Sequence, residues 1–433
     1  MNKEVKVKTP FRLTKSESIE RIIMQGETFG PLCCSVQVDS FGKECLVKNK
    51  LLYQYKGSVG VPPLAMVDDL VCISKCGIKS VLMNAFINAK TNQKKIRFGV
   101  SKCHKMHIGA KKSNCPDLKV DDWEVKLVED CETGAKAIQD EFVGEYTIDE
   151  CETEKYLGDH ISSRGTNEKN IEERKKKGIG IVSQLMSKLE STVYGPYHFE
   201  VSLILRQSHL LSSILTNSVA WYGLKISDIE QLEQVDESYL RRVLEVGISC
   251  PKEMLYLETG STPIRFILKF RRLMFLHYIL NKEPESLIHL CFDAQKDKPC
   301  RNDWVLTVQE DLEELEIMLE FEEIKTLTNF QFKSFLKKTI EEKALSFLNN
   351  VKAKHSKVLH IEHRHLRIQE YLEPKNITSS HLAKFLFQAR TRMLDLKMNF
   401  KRMYKSEELS CPLECKELDT QQHLLNCQIH TSV

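Results

Sequence analysis

Two patterns of apolar and polar positions divide the chain. Up to about residue 165 the apolar positions form short runs broken by Gly, Pro and polar clusters; from Asn170 onward they recur every three or four residues. The first spacing is that of strands and tight turns, the second that of amphipathic helices. In the first part Val5-Lys6-Val7-Lys8-Thr9-Pro10 reads as an edge strand, and residues 16–24 as a short helix delivering the Gln25-Gly26 turn. Residues 41–55 show no clear period. The loop Gly57-Ser58-Val59-Gly60-Val61-Pro62-Pro63 leads to Ala65-Met66-Val67-Asp68-Asp69-Leu70-Val71-Cys72-Ile73, two apolar runs around paired acids. That pattern predicts a tight hairpin with both carboxylates at its tip. Residues 80–90 predict a helix with Val81, Ala85 and Ala89 on one face, and Glu145-Tyr146-Thr147-Ile148 predicts a strand.

In the second part a helix opens at Ile171 and continues through Ile181, Leu185 and Leu189, and another is expected over residues 199–222. Ile229, Leu232, Val235, Leu240 and Val243 mark a third, over residues 228–246, with Arg241 and Arg242 facing solvent. Leu257-Glu258-Thr259-Gly260-Ser261 reads as a helix-ending turn, after which Thr262 caps and Pro263 opens the next helix, as far as Leu280. Arg265, Lys269 and Arg272 form a basic stripe on it beside Ile264, Ile267, Leu268 and Phe275, either a solvated face or a contact for RNA or DNA. Residues 303–357 read as charged amphipathic helices. Ser379-Ser380 caps a helix over residues 381–398 with Leu382, Phe385, Leu386 and Ala389 inward and Arg390 and Arg392 flanking. The fold class expected is therefore α+β, an antiparallel sheet with helices followed by an all-α region.

Composition narrows the picture. A chain of 433 residues suffices for two or three domains, and 42% hydrophobic with 28% charged residues excludes a wholly disordered or collagen-like protein. The net charge of +3 gives no general argument for nucleic-acid binding. Locally, however, residues 94–112 carry Lys94, Lys95, Arg97, Lys102, Lys105, Lys111 and Lys112 and no acid, which suits a solvated face or phosphate contact. The fifteen cysteines are scattered and odd in number, and Met1-Asn2-Lys3-Glu4-Val5-Lys6 leads into no secretory apolar core. The expectation is an intracellular protein, cytoplasmic or nuclear and not secreted. Arg206 and His209 interrupt the most apolar window, residues 201–224, so no membrane partner is expected.

Two clusters carry candidate chemistry. Asp68 and Asp69 offer hard oxygen ligands for Mg²⁺ or Mn²⁺, although the same pair suits a solvated turn. Cys411-Pro412-Leu413-Glu414-Cys415, then His423 and Cys427, form C-x₃-C-x₇-H-x₃-C, a ligand set able to close a tetrahedron around Zn²⁺. A chance gathering of thiols is the alternative.

The order of four motifs adds to this. Gln25-Gly26 with Gly30-Pro31-Leu32, then Asp68-Asp69, then Phe98-Gly99-Val100-Ser101-Lys102-Cys103, then Tyr156-Leu157-Gly158-Asp159-His160-Ile161 resembles the palm of non-LTR retrotransposon reverse transcriptases. The resemblance implies a partial reverse-transcriptase palm over residues 1–165, a helical thumb over 166–250, a helical linker over 251–404 and a CCHC zinc knuckle over 405–433. It also implies an RNA-directed DNA polymerase, a nucleotidyltransferase of a transposable element, acting on an RNA template, a DNA primer or target, and deoxynucleoside triphosphates. Asp68 would ligate metal and Asp69 support it. Gln25, Gly26 and Lys102 would seat nucleotide and template, and Tyr156, Leu157 and Gly158 would form the primer grip. The family's third catalytic aspartate stands on a palm strand several tens of residues before the Gln25 motif, so this sequence is expected to lack that strand and the fingers. No nuclease is expected, and the isolated chain is expected to be inactive. Met66 stands where many relatives carry an aromatic residue. The rival expectation is a non-catalytic nucleic-acid-binding remnant using the knuckle and basic helices.

Overall fold

The computed structural model describes residues 3–5, 17–19, 43–44, 52–66, 69–94, 96–108, 117–129, 136–192, 195–376, 379–399, 408–413, 415 and 417–427. Gln25, Gly26 and Asp68 lie outside the described residues. The chain divides into two compact units, residues 1–157 with 161–166, and residues 158–160 with 167–433. Small two-stranded sheets are gathered at the N-terminal end of the chain and helices dominate the rest, a mixed architecture.

In the first unit β1 (Lys3–Val5) pairs antiparallel with β2 (Glu17–Ile19). Residues 17–19 were expected to be helical; pairing with β1 gives them a ladder that local helix propensity cannot match. β3 (Tyr53–Tyr55) pairs with β4 (Val59–Val61). β5 (Leu64–Met66) pairs with β6 (Asp69–Val71) in the expected hairpin, but Asp69 opens β6 opposite Met66 instead of standing at the tip, because the ladder extends to it. α1 (Gly77–Lys94) follows. Its buried positions are Met83, Ile87 and Thr91, whereas Val81, Ala85 and Ala89 are exposed. Met83 and Ile87 pack with Leu52, and Leu70, Phe86, Ile96 and Phe98 lie against them.

Beyond a short strand, β7 (His104–Lys105), the chain forms a long antiparallel hairpin, β8 (Lys119–Glu129) with β9 (Lys136–Thr147). A bulge at Asp122/Trp123 shifts its register, and Trp123 meets Phe142 edge-on at 5.3 Å. The expected strand at 145–148 is thus the end of a longer one. β10 (Asp149–Glu150) pairs parallel with β7. β11 (Thr153–Tyr156) and β12 (Asp159–Ser162) form a two-stranded sheet joined by Leu157 and Gly158.

The second unit is built around α2 (Glu168–Thr192), which buries Ile171, Arg174, Val182, Leu185, Met186 and Leu189 along one stripe. α3 (His198–Leu205) runs on through a π-helical turn, Arg206–Leu211, and ends at Ile214. A single helix to residue 222 was expected. Asn217, at φ +60°, takes the left-handed conformation that Asn tolerates, and the helix cannot continue through it. α4 (Ile226–Leu244) packs on α2, closely enough that a Cβ on Gly178 would meet Val235 Cγ1 at 2.7 Å.

α5 (Lys252–Thr259) and α6 (Ile264–Leu280) come next, separated by Gly260. Gly260 has φ +65°, and a Cβ there would lie 2.3 Å from the backbone of Arg367 and Ile368, so both conformation and space require glycine. Then follow α7 (Leu287–Asp297), α8 (Trp304–Glu314), α9 (Phe321–Thr326) and α10 (Asn329–Lys352). Together these helices share one continuous core that includes Tyr239, Leu257, Leu273, Val308, Phe332 and Phe387.

α11 (Ser380–Thr391) starts where expected, with Ser379 Oγ accepting from the His381 N–H. It stops at Arg392, φ +54°, short of the expected residue 398. Its inward positions are Ala383, Lys384, Phe387 and Thr391, while Leu382 and Phe385 are about half exposed. The inward face was misjudged because Lys384 reaches Glu245 Oε1 at 2.6 Å, which lets a charged residue occupy a buried position. α12 (Gln421–Asn426) closes the described chain. Among the described residues no helix is long and apolar enough to cross a membrane.

Candidate functional site

The β5–β6 hairpin puts Met66 opposite Asp69 and Ala65 opposite Leu70, leaving only residues 67 and 68 between the strands. Asp69 is exposed, and among the described residues no cation pairs with it. A carboxylate in that state is available to a metal ion. Lys102 is exposed at the end of a short 3₁₀ turn, Val100–Lys102, whose Lys102 N–H donates to Gly99 O. Among the described residues Lys102 forms no ion pair.

Tyr156 ends β11, half-buried. Burial pushes its phenol above the ordinary tyrosine range, and the negative charge of Asp69 raises it further. The first unit therefore brings the paired-acid hairpin and the Tyr156 segment within electrostatic reach of each other, although they are far apart in sequence. Leu157 and Gly158 both have positive φ, +48° and +89°. Such a pair makes the two-residue turn whose twist matches a hairpin.

Residues 158–160 belong to the second unit, where groups that sequence reading missed hold them. Arg174, 5% exposed, donates to Gly158 O at 2.8 Å, Asp159 Oδ1 at 2.8 Å and Ser213 O at 2.9 Å. Asn170, 2% exposed, accepts from the His160 N–H at 3.2 Å and donates to Asp159 Oδ1 at 3.1 Å. Trp221 Nε1 donates to the same oxygen at 3.3 Å. The readable signal was a charged residue falling on the apolar stripe of α2, between Ile171 and Val182.

The basic stripe on α6 is neither solvated nor free to bind phosphate. Arg265 makes a bidentate pair with Glu233 at 2.7–2.9 Å, and Arg272 another with Asp311 at 2.6–2.8 Å. Lys269 pairs with Glu314 and lies 3.5 Å from Asp311. Arg390, another flanking cation, is drawn to Glu258, which is fully buried and also accepts from Tyr371 Oη at 2.6 Å and faces His363 Nε2 at 2.9 Å. Of the pair on α4, Arg242 is exposed as expected, but Arg241 is half-buried and donates to Gly247 O at 2.7 Å and Cys250 O at 2.9 Å.

The C-terminal cluster is assembled from three local pieces. Cys411 N–H donates to Glu417 O at 2.8 Å and Asp419 N–H to Leu409 O at 2.9 Å, which folds the chain back on itself and leaves Cys415 in the connection. Thr420 caps α12 by accepting from the His423 N–H, and Cys427 follows the helix. The ligand atoms of Cys411, Cys415, His423 and Cys427 all lie within 4.8 Å of one another. Cys415 Sγ is 3.9 Å from Cys427 Sγ and 3.0 Å from His423 Nε2. Thiolates at tetrahedral Zn–S distances stand about 3.8 Å apart, so the donor set and its spacing fit one ion. Cys411 and Cys427 are buried, 6% and 1% exposed.

No protein-family model matches the chain, and no curated protein matches it.

Proposed function

We propose that the chain is part of a non-LTR retrotransposon reverse transcriptase, an RNA-directed DNA polymerase, in which Asp68 and Asp69 serve nucleotidyl transfer and residues 156–158 hold the primer terminus. The observation that supports this best is the hairpin that pairs Met66 with Asp69 and leaves the Asp69 carboxylate exposed in the same unit as Tyr156, because a polymerase needs its metal carboxylates beside the primer end. The Asp69 charge also adds to the burial that raises the Tyr156 phenol. Asp68 and Asp69 would hold Mg²⁺ or Mn²⁺, which in this chemistry activates the primer hydroxyl and neutralises the leaving pyrophosphate. The exposed Asp69 carboxylate, with no cation beside it among the described residues, fits that task. The family's third carboxylate is assigned to no residue of this sequence. Lys102, exposed and unpaired among the described residues, suits contact with nucleotide phosphates. Gln25 and Gly26 are assigned to the template and nucleotide on the resemblance alone.

Cys411, Cys415, His423 and Cys427 would hold Zn²⁺ as a structural ion, three thiolates and one imidazole leaving no open position for catalysis. In this reading the first unit is the partial palm, and the second supplies thumb, linker and knuckle. Partners are an RNA template, a DNA primer or target, and deoxynucleoside triphosphates.

Primer extension on a primed RNA template, in Mg²⁺ and then Mn²⁺, compares the chain with Asp68→Asn. Extension that disappears in the variant while binding persists supports the polymerase. Binding by both proteins with extension by neither means a non-catalytic nucleic-acid-binding chain.

A further inference from the structure

Leu157 breaks a local rule. Turns with positive φ at both central residues favour Asn and Gly, and a leucine at φ +48° is uncommon. Its side chain is also 46% exposed, so core packing does not explain the choice. An apolar residue held in a left-handed conformation with its side chain toward water is a combination found where function sets the geometry.

The conformation is held from behind. Arg174 binds both the carbonyl that closes the turn, Gly158 O, and the carboxylate that follows it, Asp159. Asp159 Oδ1 accepts from Arg174, Asn170 and Trp221 together, and the Arg174 guanidinium lies 5.8 Å from the Trp221 ring. Asn170 also accepts the backbone N–H of His160. Because Arg174 is buried on α2 and tied to Ser213 O, the guanidinium has little freedom to follow the turn if the turn moves. One guanidinium thus spans three acceptors, Nη2 donating to Gly158 O and Asp159 Oδ1 and Nη1 to Ser213 O, a fixed fork that a lysine ammonium reproduces only in part.

We propose that Arg174, supported by Asn170 and Trp221, is the positioning residue of the 156–158 turn, fixing the left-handed backbone so that Leu157 is presented rigidly to the sugar–phosphate backbone at a primer terminus. This rests on the functional reading above. Arg174 itself touches no substrate; it acts through Gly158 and Asp159.

The test uses the full chain with Arg174→Gln, Arg174→Lys and Asp159→Asn. Hydrogen exchange is measured over residues 153–162, and affinity is measured for a primed RNA–DNA duplex and for the unprimed RNA strand. Arg174→Gln should speed exchange of the turn amides about tenfold. It should weaken primed-duplex binding about tenfold and leave the unprimed strand unchanged. Arg174→Lys should recover part of both losses, and Asp159→Asn, which keeps an acceptor, should show smaller changes in the same direction and serves if Arg174→Gln does not fold. Unchanged exchange overturns the proposal. Faster exchange with unchanged primed-duplex affinity overturns the positioning role and leaves a structural clamp. A wild-type chain with no preference for the primed duplex overturns the functional reading and the primer role together, while the exchange data still decide whether Arg174 holds the turn.

Discussion

Asp236→Ala should cost the second unit about 3–5 kcal/mol, the range for removing one member of a buried ion pair. Asp236 is fully buried, and Arg206 beside it is 5% exposed. Two short charge-assisted bonds join them, Arg206 Nε to Oδ1 and Nη2 to Oδ2, both 2.6 Å, and Tyr256 Oη donates to Oδ2 from 3.3 Å. In the variant Arg206 keeps only its bond to Thr262 O at 3.0 Å, and its charge has no counterpart in an apolar surround. Each lost charged bond is worth about 1.5–3 kcal/mol, which brings two of them to the same range. The double variant Arg206→Met/Asp236→Leu removes both charges and should lie within about 1 kcal/mol of wild type or above it. Urea unfolding followed by tryptophan fluorescence, with Trp221 and Trp304 reporting from the second unit, gives the cycle when the slopes agree. An Asp236→Ala cost below about 1 kcal/mol, or a double variant as damaged as the sum of the singles, would refute the reasoning.

Three further outcomes are expected. Gly260→Ala should lower stability by about 3 kcal/mol, read as a fall in Tm, since left-handed alanine costs about 1 kcal/mol and the Cβ must part the Thr259–Ile368 bridge and the Gln369 N–Glu258 O bond. Burial pushes the Glu258 carboxyl up, but hydrogen bonds from His363 and Tyr371 and the charge and bonds of Arg390 outweigh it and hold it below the usual carboxylate range. Its stabilisation is therefore complete above the ordinary glutamate pKa and lost as pH falls through the lowered one; acid unfolding of Glu258→Gln should lack that part of the wild-type slope. Co²⁺ added to the chelated protein should give the absorption of a tetrahedral thiolate site, lost in Cys411→Ser; octahedral spectra would contradict the ligand set.

What the sequence made legible follows from the range of the forces involved. The helices α2 and α4 were readable because their apolar spacing is local, and the Cys-Cys-His-Cys set because a turn and one short helix assemble it. The hairpin at 64–71 was readable for the same reason. The α6 stripe was misread because its acids, Glu233, Asp311 and Glu314, are on other helices, and spacing along one helix says nothing of them. Arg174 and Glu258 were overlooked likewise: each is a charge buried by partners distant in sequence. Residues 17–19 show the converse, a helical local pattern overruled by a strand partner. The inward faces of α1 and α11 depended on what packs against them, and both helices are apolar on more than one side.

The most direct measurement is to place a photoreactive nucleotide at the primer 3′ end of a primed RNA–DNA duplex, crosslink it to the chain, and map the adducts by mass spectrometry. Adducts are expected on residues 153–162 and on the 64–71 hairpin, because the proposed function assigns the primer end to residues 156–158 and its metal to Asp69. Adducts confined to residues 408–427, or spread evenly over both units, would contradict it.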